Sequence, residues 1–413
     1  MKQTLSFLCI RLMMLPLLWM PYAWIHWLGK RLGSLAYHLL PKFRKRALGN
    51  IALAFPQKAL HEQIEIAKEA MQNLMITCLE YPKLSWEKNI HRVASCENPE
   101  VAADILKSGK GVIFFCGHQS NWEILFLEGT RRMPGVAIGR PIKNKRLYDW
   151  VLSIREKNGG KIITPQNAIR AGFKALKQGS FLGIVGDQGM PDSGYHSPFF
   201  SLRAWTSPMP ALLSYRSGAP LIVATTRREK GKYRIHYSDP IWPQEDATQE
   251  LEVDRLMRTS LALLEASIAH SPGEWLWQHN RWKQQTLKRV KRPFRQDSIL
   301  IILPQDCAAM LPHLATFREI YPLEFITLYV PQSFQKPIPL ENIETIHYQT
   351  EQELFLKTFR FKLVFNFSSE KNLKKHFLNL AAFHVLSLKD LEALAGPTAN
   401  LSETLKKALL HAC

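Results

Sequence analysis

The sequence predicts an α/β fold: a mostly parallel sheet flanked by helices, preceded by an N-terminal membrane anchor helix and followed by a second, small α/β domain. Three observations carry this. Short apolar runs alternate with helix-period segments from residue 111 to 270. The same alternation restarts at residue 298, after the basic, Pro-containing stretch "LKRVKRPFRQD" (287–297). The first 61 residues contain no Asp or Glu, and residues 5–28 are almost wholly apolar. A chain of 413 residues exceeds one compact core. The expected division is an anchor at 1–30, a main α/β domain at 31–286, a basic linker at 287–297 and a small α/β domain at 298–413.

As one helix, "LSFLCIRLMMLPLLWMPYAWIHWL" (5–28) would span roughly 36 Å, about one hydrocarbon core. Trp19, Trp24 and Trp27 suit an interfacial belt, while Arg11, Pro16, Pro21 and His26 interrupt the apolar run. Lys30, Arg31, Lys42, Arg44, Lys45 and Arg46 follow, which puts the downstream side in the cytoplasm. No small-residue cleavage site comes next, so the segment reads as an uncleaved anchor, spanning the bilayer or lying in its interface.

Residues 61–80 read as an amphipathic helix with Ile64, Ala67, Met71, Leu74, Met75 and Cys78 near one face. Strands are expected at 111–116, 135–139, 161–164, 181–185, 220–226 and 232–237, with helices at 122–130, 144–157, 167–179, 207–217 and 249–270. In the last domain strands are expected at 298–303, 324–330 and 361–367. "LPQDCA" follows the first of them where a Gly-rich phosphate loop would stand, so nucleotide binding has no sequence support there.

The net charge of +19 predicts an anionic partner. No nucleic-acid motif with an aromatic platform is present, which leaves a lipid surface or an acidic protein. The six Cys show no CxxC pair and no zinc spacing, as expected for reduced thiols in a cytosolic compartment.

The buried-strand run "GVIFFC" (111–116) ends abruptly in "GHQSNWE" (117–123). Ligands of open α/β sheets sit at the carboxyl ends of strands, where His118 stands. Inside one ideal helix His118 and Glu123 would lie roughly 140° apart. With His118 in the loop and Glu123 in the first helical turn they can meet, and the helix N-terminus favours ionised Glu123. A carboxylate that fixes an imidazole tautomer makes a general base for a hydroxyl proton. The same residues admit a structural reading, with a satisfied His at a strand end and Asn121 as a helix cap. Cys116 belongs to the apolar strand and reads as a core thiol. Ser120 lacks the G-x-S-x-G turn of a nucleophile. HxxxxE is not HExxH, and no metal or other cofactor is expected.

"GHQSNWE" resembles the H-x4-D/E block of glycerolipid and lipid A acyltransferases, above all the G-H-x-G-N-W-E form of the bacterial lipid A late acyltransferases. Three further blocks agree in order: "GRPIKNKRLYDWVLSIREKNGGKII" (139–163), "FLGIVGDQ" (181–188) and "PGEWLWQHNRWK" (272–283). The likeness covers about residues 5–285. Ser120 stands where Gly is usual in that family, Asn280 where Arg is usual, and Gly189 replaces an acidic or bulkier residue. Residues 298–413 lie outside the family's ordinary length.

The resemblance implies transfer of a fatty acyl chain from an acyl carrier protein thioester to a hydroxyl of an anionic, Kdo-lipid IVA-like lipid A precursor. That would be a step of lipopolysaccharide biosynthesis at the bacterial inner membrane. His118 would be the base and Glu123 its orienting carboxylate, with direct attack on the thioester. Asn121 or backbone N–H groups would hold the oxyanion. Arg140, Lys143, Lys145, Arg146 and Arg155 fall in the acceptor-like block. Arg140, just past a strand, is the leading candidate for phosphate or sugar recognition. The other four read equally as a solvated helix face. Asp187 and Gln188 end the strand at 181–185; Asp187 either bonds a sugar hydroxyl or organises the loop with Gln188. "PFFSLRAW" (198–205) either shelters the acyl chain or fills the core. An acyltransferase using acyl-CoA on another glycolipid or a lysophospholipid is the alternative enzyme. The alternative from another class is a non-catalytic membrane scaffold, against which the intact His118/Glu123 pair argues.

Overall fold

The computed structural model describes residues 2–189, 194–282, 288–334 and 337–411. Lys283 of the closing sequence block and Leu287 of the expected linker lie outside the described residues. The chain divides into two compact units, one of residues 1–39 with 68–276, the other of residues 40–67 with 277–413.

The first unit does not begin with a spanning helix. Residues 2–39 form a helix at Lys2–Met14, a 3-10 turn at Leu15–Leu18 and a second helix at Tyr22–Leu39. Pro16, which has no amide proton, lies in the turn, and Pro21 directly precedes the second helix. Among the described residues no helix is long and apolar enough to cross a membrane, which corrects the expectation of a single-pass anchor over 1–30. The Tyr22–Leu39 helix is two-sided instead. It buries Ile25, His26, Gly29, Gly33 and Tyr37, and exposes Trp24, Trp27, Leu35 and Leu39. Gly29 and Gly33 let it approach the long helix Leu60–Trp86. A Cβ on them would lie 2.5 Å from Ile76 Cγ1 and 2.4 Å from Gln72 Cα.

That long helix turns differently from the sequence expectation. Asn73, Thr77 and Glu80 are buried, whereas Cys78 of the expected apolar face is exposed. Ala67 and Met71 of that face are buried as expected, but hydrogen-bonded polar groups extend the inner side beyond the apolar stripe.

The sheet of the first unit contains β1 (Ala94–Cys96), β2 (Val112–Cys116), β3 (Gly135–Ile138), β4 (Lys161–Ile163) and β5 (Phe181–Val185). A small separate antiparallel hairpin follows, β6 (Tyr195–Phe199) with β7 (Leu202–Thr206), and then β8 (Leu221–Glu229) and β9 (Lys232–Tyr237) rejoin the main sheet. The order is β1-β9-β8-β2-β5-β3-β4. β8, β2, β5, β3 and β4 run parallel, while β9 returns antiparallel to β8 and carries β1 beside it. All five residues of β2 are buried, as a strand covered on both faces requires. β2 sits where the chain order reverses, with β5 on one side and β8 on the other.

The second unit holds helix Pro41–Ala54 and five parallel strands: β10 (Ser298–Ile302), β11 (Phe325–Pro331), β12 (Glu344–Tyr348), β13 (Leu363–Asn366) and β14 (His384–Ser387). Their order is β12-β11-β10-β13-β14, and apolar clusters cover both faces. Residues 288–297, read from sequence as a linker, are packed into this unit. Val290 is buried and bridges Leu410, and Phe294 joins the core. Near the start of β13, Lys362 Nζ is enclosed by Asp297 (2.7 and 3.0 Å) and Asn50 Oδ1 (2.7 Å).

Candidate active site

Strand register builds the site. β2 and β5 pair with Cys116 opposite Val185, and Gly186 N donates to Cys116 O at 2.9 Å. Two residues beyond each paired end stand His118 and Asp187, side by side at the carboxyl edge of the sheet. His118 N donates to Asp187 Oδ2 (2.9 Å) and its Nδ1 lies 2.7 Å from Oδ1. Trp275 Nε1 donates to Oδ2 at 2.8 Å. A carboxylate accepts only, so Nδ1 carries the proton and Nε2 has the free lone pair. The Gln188 side-chain amide approaches Nδ1 more distantly, at 3.3 Å. Trp122 packs its ring edge-on 4.9 Å from the imidazole. Asp187 is fully buried while the His118 side chain keeps 22% of its surface.

The electrostatics follow from this placement. Burial opposes the imidazolium, yet the charge and hydrogen bond of Asp187 and the charge of Glu123 together raise the His118 pKa. Burial likewise opposes the Asp187 carboxylate, but His118 and Trp275 hold its pKa down to about 2. Burial pushes the Cys116 thiol well up, which suits a core residue and not a nucleophile.

The expected pairing of Glu123 with His118 is corrected here. Glu123, buried in the first turn of helix Glu123–Arg132, is held by the Arg155 guanidinium through Nε to Oε2 (2.7 Å) and Nη2 to Oε1 (2.5 Å). The bidentate fork occupies both carboxylate oxygens, and Asp187 takes the imidazole instead. Glu123 acts on His118 by charge alone. Arg155 is thereby turned into the fold rather than left as a free cation on a solvated face, its Nη1 lying 3.4 Å from where a Cβ on Gly139 would be.

Of the two roles expected for Asp187, organising the loop is the one its contacts carry out: the carboxylate accepts from the His118 amide, the imidazole and Trp275. Asn121 is fully buried and donates through Nδ2 to Glu80 Oε2 at 2.6 Å, so it neither caps the helix nor faces an open cleft. Arg140, Lys143, Lys145 and Arg146 are exposed, with no ion pair among the described residues. Phe199 is buried in the β6–β7 hairpin and stacks obliquely on Trp275, as a core residue does.

Periodicity missed the residues that hold the catalytic loop. Ser120 adopts φ +43°, the left-handed region that glycine favours. Its N donates to Glu274 O, and Leu276 N donates to His118 O at 3.0 Å. Gln119 and Trp275 form an antiparallel bridge. The closing block, legible in sequence only as a resemblance, is therefore a backbone clasp on the catalytic loop.

An imidazole with one nitrogen fixed by a buried carboxylate and the other open, at the switch point of a parallel sheet, has the geometry a general base needs. Comparison with known proteins identifies which kind. The description of the bacterial lipid A biosynthesis acyltransferases matches residues 1–284, and the chain belongs to that family of acyltransferases. It is similar to the lipid A biosynthesis palmitoleoyltransferase of Escherichia coli K12, 26% identical over 296 residues, covering 68% of this chain and 90% of that one. It is also similar to the lipid A biosynthesis lauroyltransferase of the same strain, 24% identical over 270 residues, covering 64% and 87%. A lipid A biosynthesis acyltransferase of Shigella flexneri is 26% identical over 296 residues.

Proposed function

We propose that this protein moves a fatty acyl chain from acyl carrier protein to a hydroxyl of an anionic lipid A precursor at the bacterial inner membrane. The observation that carries the reading is the Asp187–His118 pair, with Nδ1 held at 2.7 Å and Nε2 open. Nε2 takes the proton of the acceptor hydroxyl as its oxygen attacks the thioester carbonyl. Collapse of the tetrahedral intermediate breaks the C–S bond, and the imidazolium returns the proton to the departing thiolate. No acyl-enzyme forms and no cofactor is required. Asp187 stabilises the imidazolium, and Glu123, fixed in place by Arg155, adds its carboxylate charge nearby. Arg140, Lys143 and Arg146 bind the phosphates of the acceptor, and Gln188 lies beside the imidazole as a contact to the bound hydroxyl.

The protein lies in the membrane interface rather than spanning it, with the catalytic unit in the cytoplasm. Leu5, Leu8, Leu12, Trp19, Trp24 and Trp27 are between 54% and 72% exposed, a surface suited to the acyl–headgroup boundary. Lys30 and Arg31 beside it would each add about 1 kcal/mol of attraction to anionic lipid.

The test is an assay of purified protein with Kdo-bearing lipid A precursor and either acyl carrier protein thioesters of several lengths or acyl-CoA. Transfer from the carrier-protein thioester, lost in His118→Ala, supports the proposal. Transfer only from acyl-CoA, or only to a lysophospholipid, refutes the assigned donor or acceptor.

A further inference from the structure

Three donors from three elements of the first unit converge on one buried carboxylate. Glu80, fully buried, lies on helix Leu60–Trp86. His26 Nε2, from helix Tyr22–Leu39, donates to its Oε1 at 2.6 Å. Asn121 Nδ2, from the catalytic loop, donates to Oε2 at 2.6 Å, and the Tyr233 hydroxyl, from β9, donates to Oε2 at 2.7 Å. A turn earlier Thr77 Oγ1 donates to the Ser120 carbonyl at 3.2 Å. A turn before that, Asn73 Nδ2 donates to the Gly273 carbonyl at 2.8 Å, next to the residues that clasp the loop. Positions 73, 77 and 80 share one helix face.

Withdrawing a carboxylate from water costs several kcal/mol before its partners are counted, and an apolar side chain could fill the same space at less cost. Only an acceptor, however, can fix three donors from three elements at defined lengths. One of those donors stands three residues after His118. Another, His26, sits on the helix between Trp24 and Trp27, which are 63% and 55% exposed. We propose that Glu80 is a positioning residue that, with Thr77 and Asn73, sets the catalytic loop and, through His26, ties that loop to the helix resting on the lipid surface. Seating Trp24 and Trp27 in a bilayer then steadies His26, Glu80 and Asn121 in turn, so lipid contact raises turnover. This inference rests on His118 being the base of the reaction proposed above.

The experiment uses the full-length protein. Glu80→Gln preserves shape but replaces one acceptor with a donor. It should lower kcat about ten- to a hundredfold with KM little changed, because misplacing a catalytic group by an ångström or less has that effect. Amide hydrogen exchange in residues 117–123 should quicken, a readout that needs no turnover. His26→Phe should reduce the stimulation by anionic phospholipid vesicles over detergent, and His26→Gln, which keeps a donor, should restore most of it. Folded Glu80→Gln protein with wild-type kcat and loop exchange overturns the positioning role, and unaltered vesicle stimulation in His26→Phe overturns the lipid link. If Glu80→Gln does not fold, Thr77→Val takes its place, with a smaller loss in the same direction expected and wild-type behaviour overturning the role. An active His118→Ala variant sinks the proposed chemistry instead, whereas an inactive one beside a normal Glu80→Gln sinks this inference alone.

Discussion

Each unit contains a buried aspartate paired with a basic side chain at its sheet, and the two pairs behave oppositely. Asp187 holds His118, whose side chain keeps 22% of its surface. Asp297 holds Lys362, and both side chains are 1% exposed. In both basic groups burial is the largest influence and works against the charged form. For His118 the neighbouring carboxylates prevail and the pKa rises; for Lys362 burial prevails and the pKa falls. A carboxylate–cation pair is thus no sign of chemistry by itself. What separates a base from a strut is a free lone pair with a route to solvent. Lys362 has neither, since Asn50 and Asp297 enclose it.

Mutations can break that contrast. His118→Ala should lower kcat by roughly 10²–10⁴ and cost less stability than the loss of Lys362, because Asp187 keeps the residue-118 amide and Trp275 Nε1 as donors; a variant with normal turnover would remove the imidazole from the mechanism. Lys362→Ala should do the reverse, costing about 3–5 kcal/mol in urea unfolding because Asp297 is left buried and unpaired. The activity of each folded Lys362→Ala molecule should be untouched, and a parallel loss of kcat would erase the distinction between the pairs.

Asp187→Asn sharpens the comparison through pH. His118 must be neutral to accept a proton, so activity rises with pH through its raised pKa. Removing the carboxylate lowers that pKa, and the acid limb of the kcat/KM profile should move to lower pH. The plateau should fall by up to about 10⁴-fold as the tautomer is lost. An unmoved limb would detach Asp187 from His118. The wild-type pair also contributes stability. Asp187 is held at about 2 against an ordinary 3.8, so its contribution is full above that ordinary value and disappears as pH falls through the lower one.

The smallest effect concerns Ser120. Its φ of +43° strains a residue with a side chain, so Ser120→Gly should raise stability by at most about 1 kcal/mol, the relief being partly offset by chain entropy. A loss of stability would mean that the hydroxyl matters more than the backbone.

Local pattern made much of the fold legible. The helix Gln249–His270 and the strands Phe181–Val185 and Lys232–Tyr237 fall at the residues their periodicity predicts. The strands that escaped, "ASC", "YHSPF", "LRAWT", "ETIHY" and "HVLS", bury at most two side chains each, too few to print an alternation. His118 could be found because a wholly buried strand ends just before it. Its partner could not, because Asp187 lies 69 residues away and only strand register brings it near. Glu123 is closer along the chain but is claimed by Arg155, a contact between helices with no local signature. Glu80 was concealed by its own helix, whose apolar stripe draws attention away from the buried polar positions 73, 77 and 80.

The backbone clasp between residues 274–276 and the catalytic loop has a consequence for biosynthesis. On the ribosome His118 emerges long before Glu274, Trp275 and Leu276, whose main-chain bonds complete its surroundings. The nascent chain can lay down the strands that precede residue 274 while the surroundings of His118 are unfinished, so they are completed late in translation.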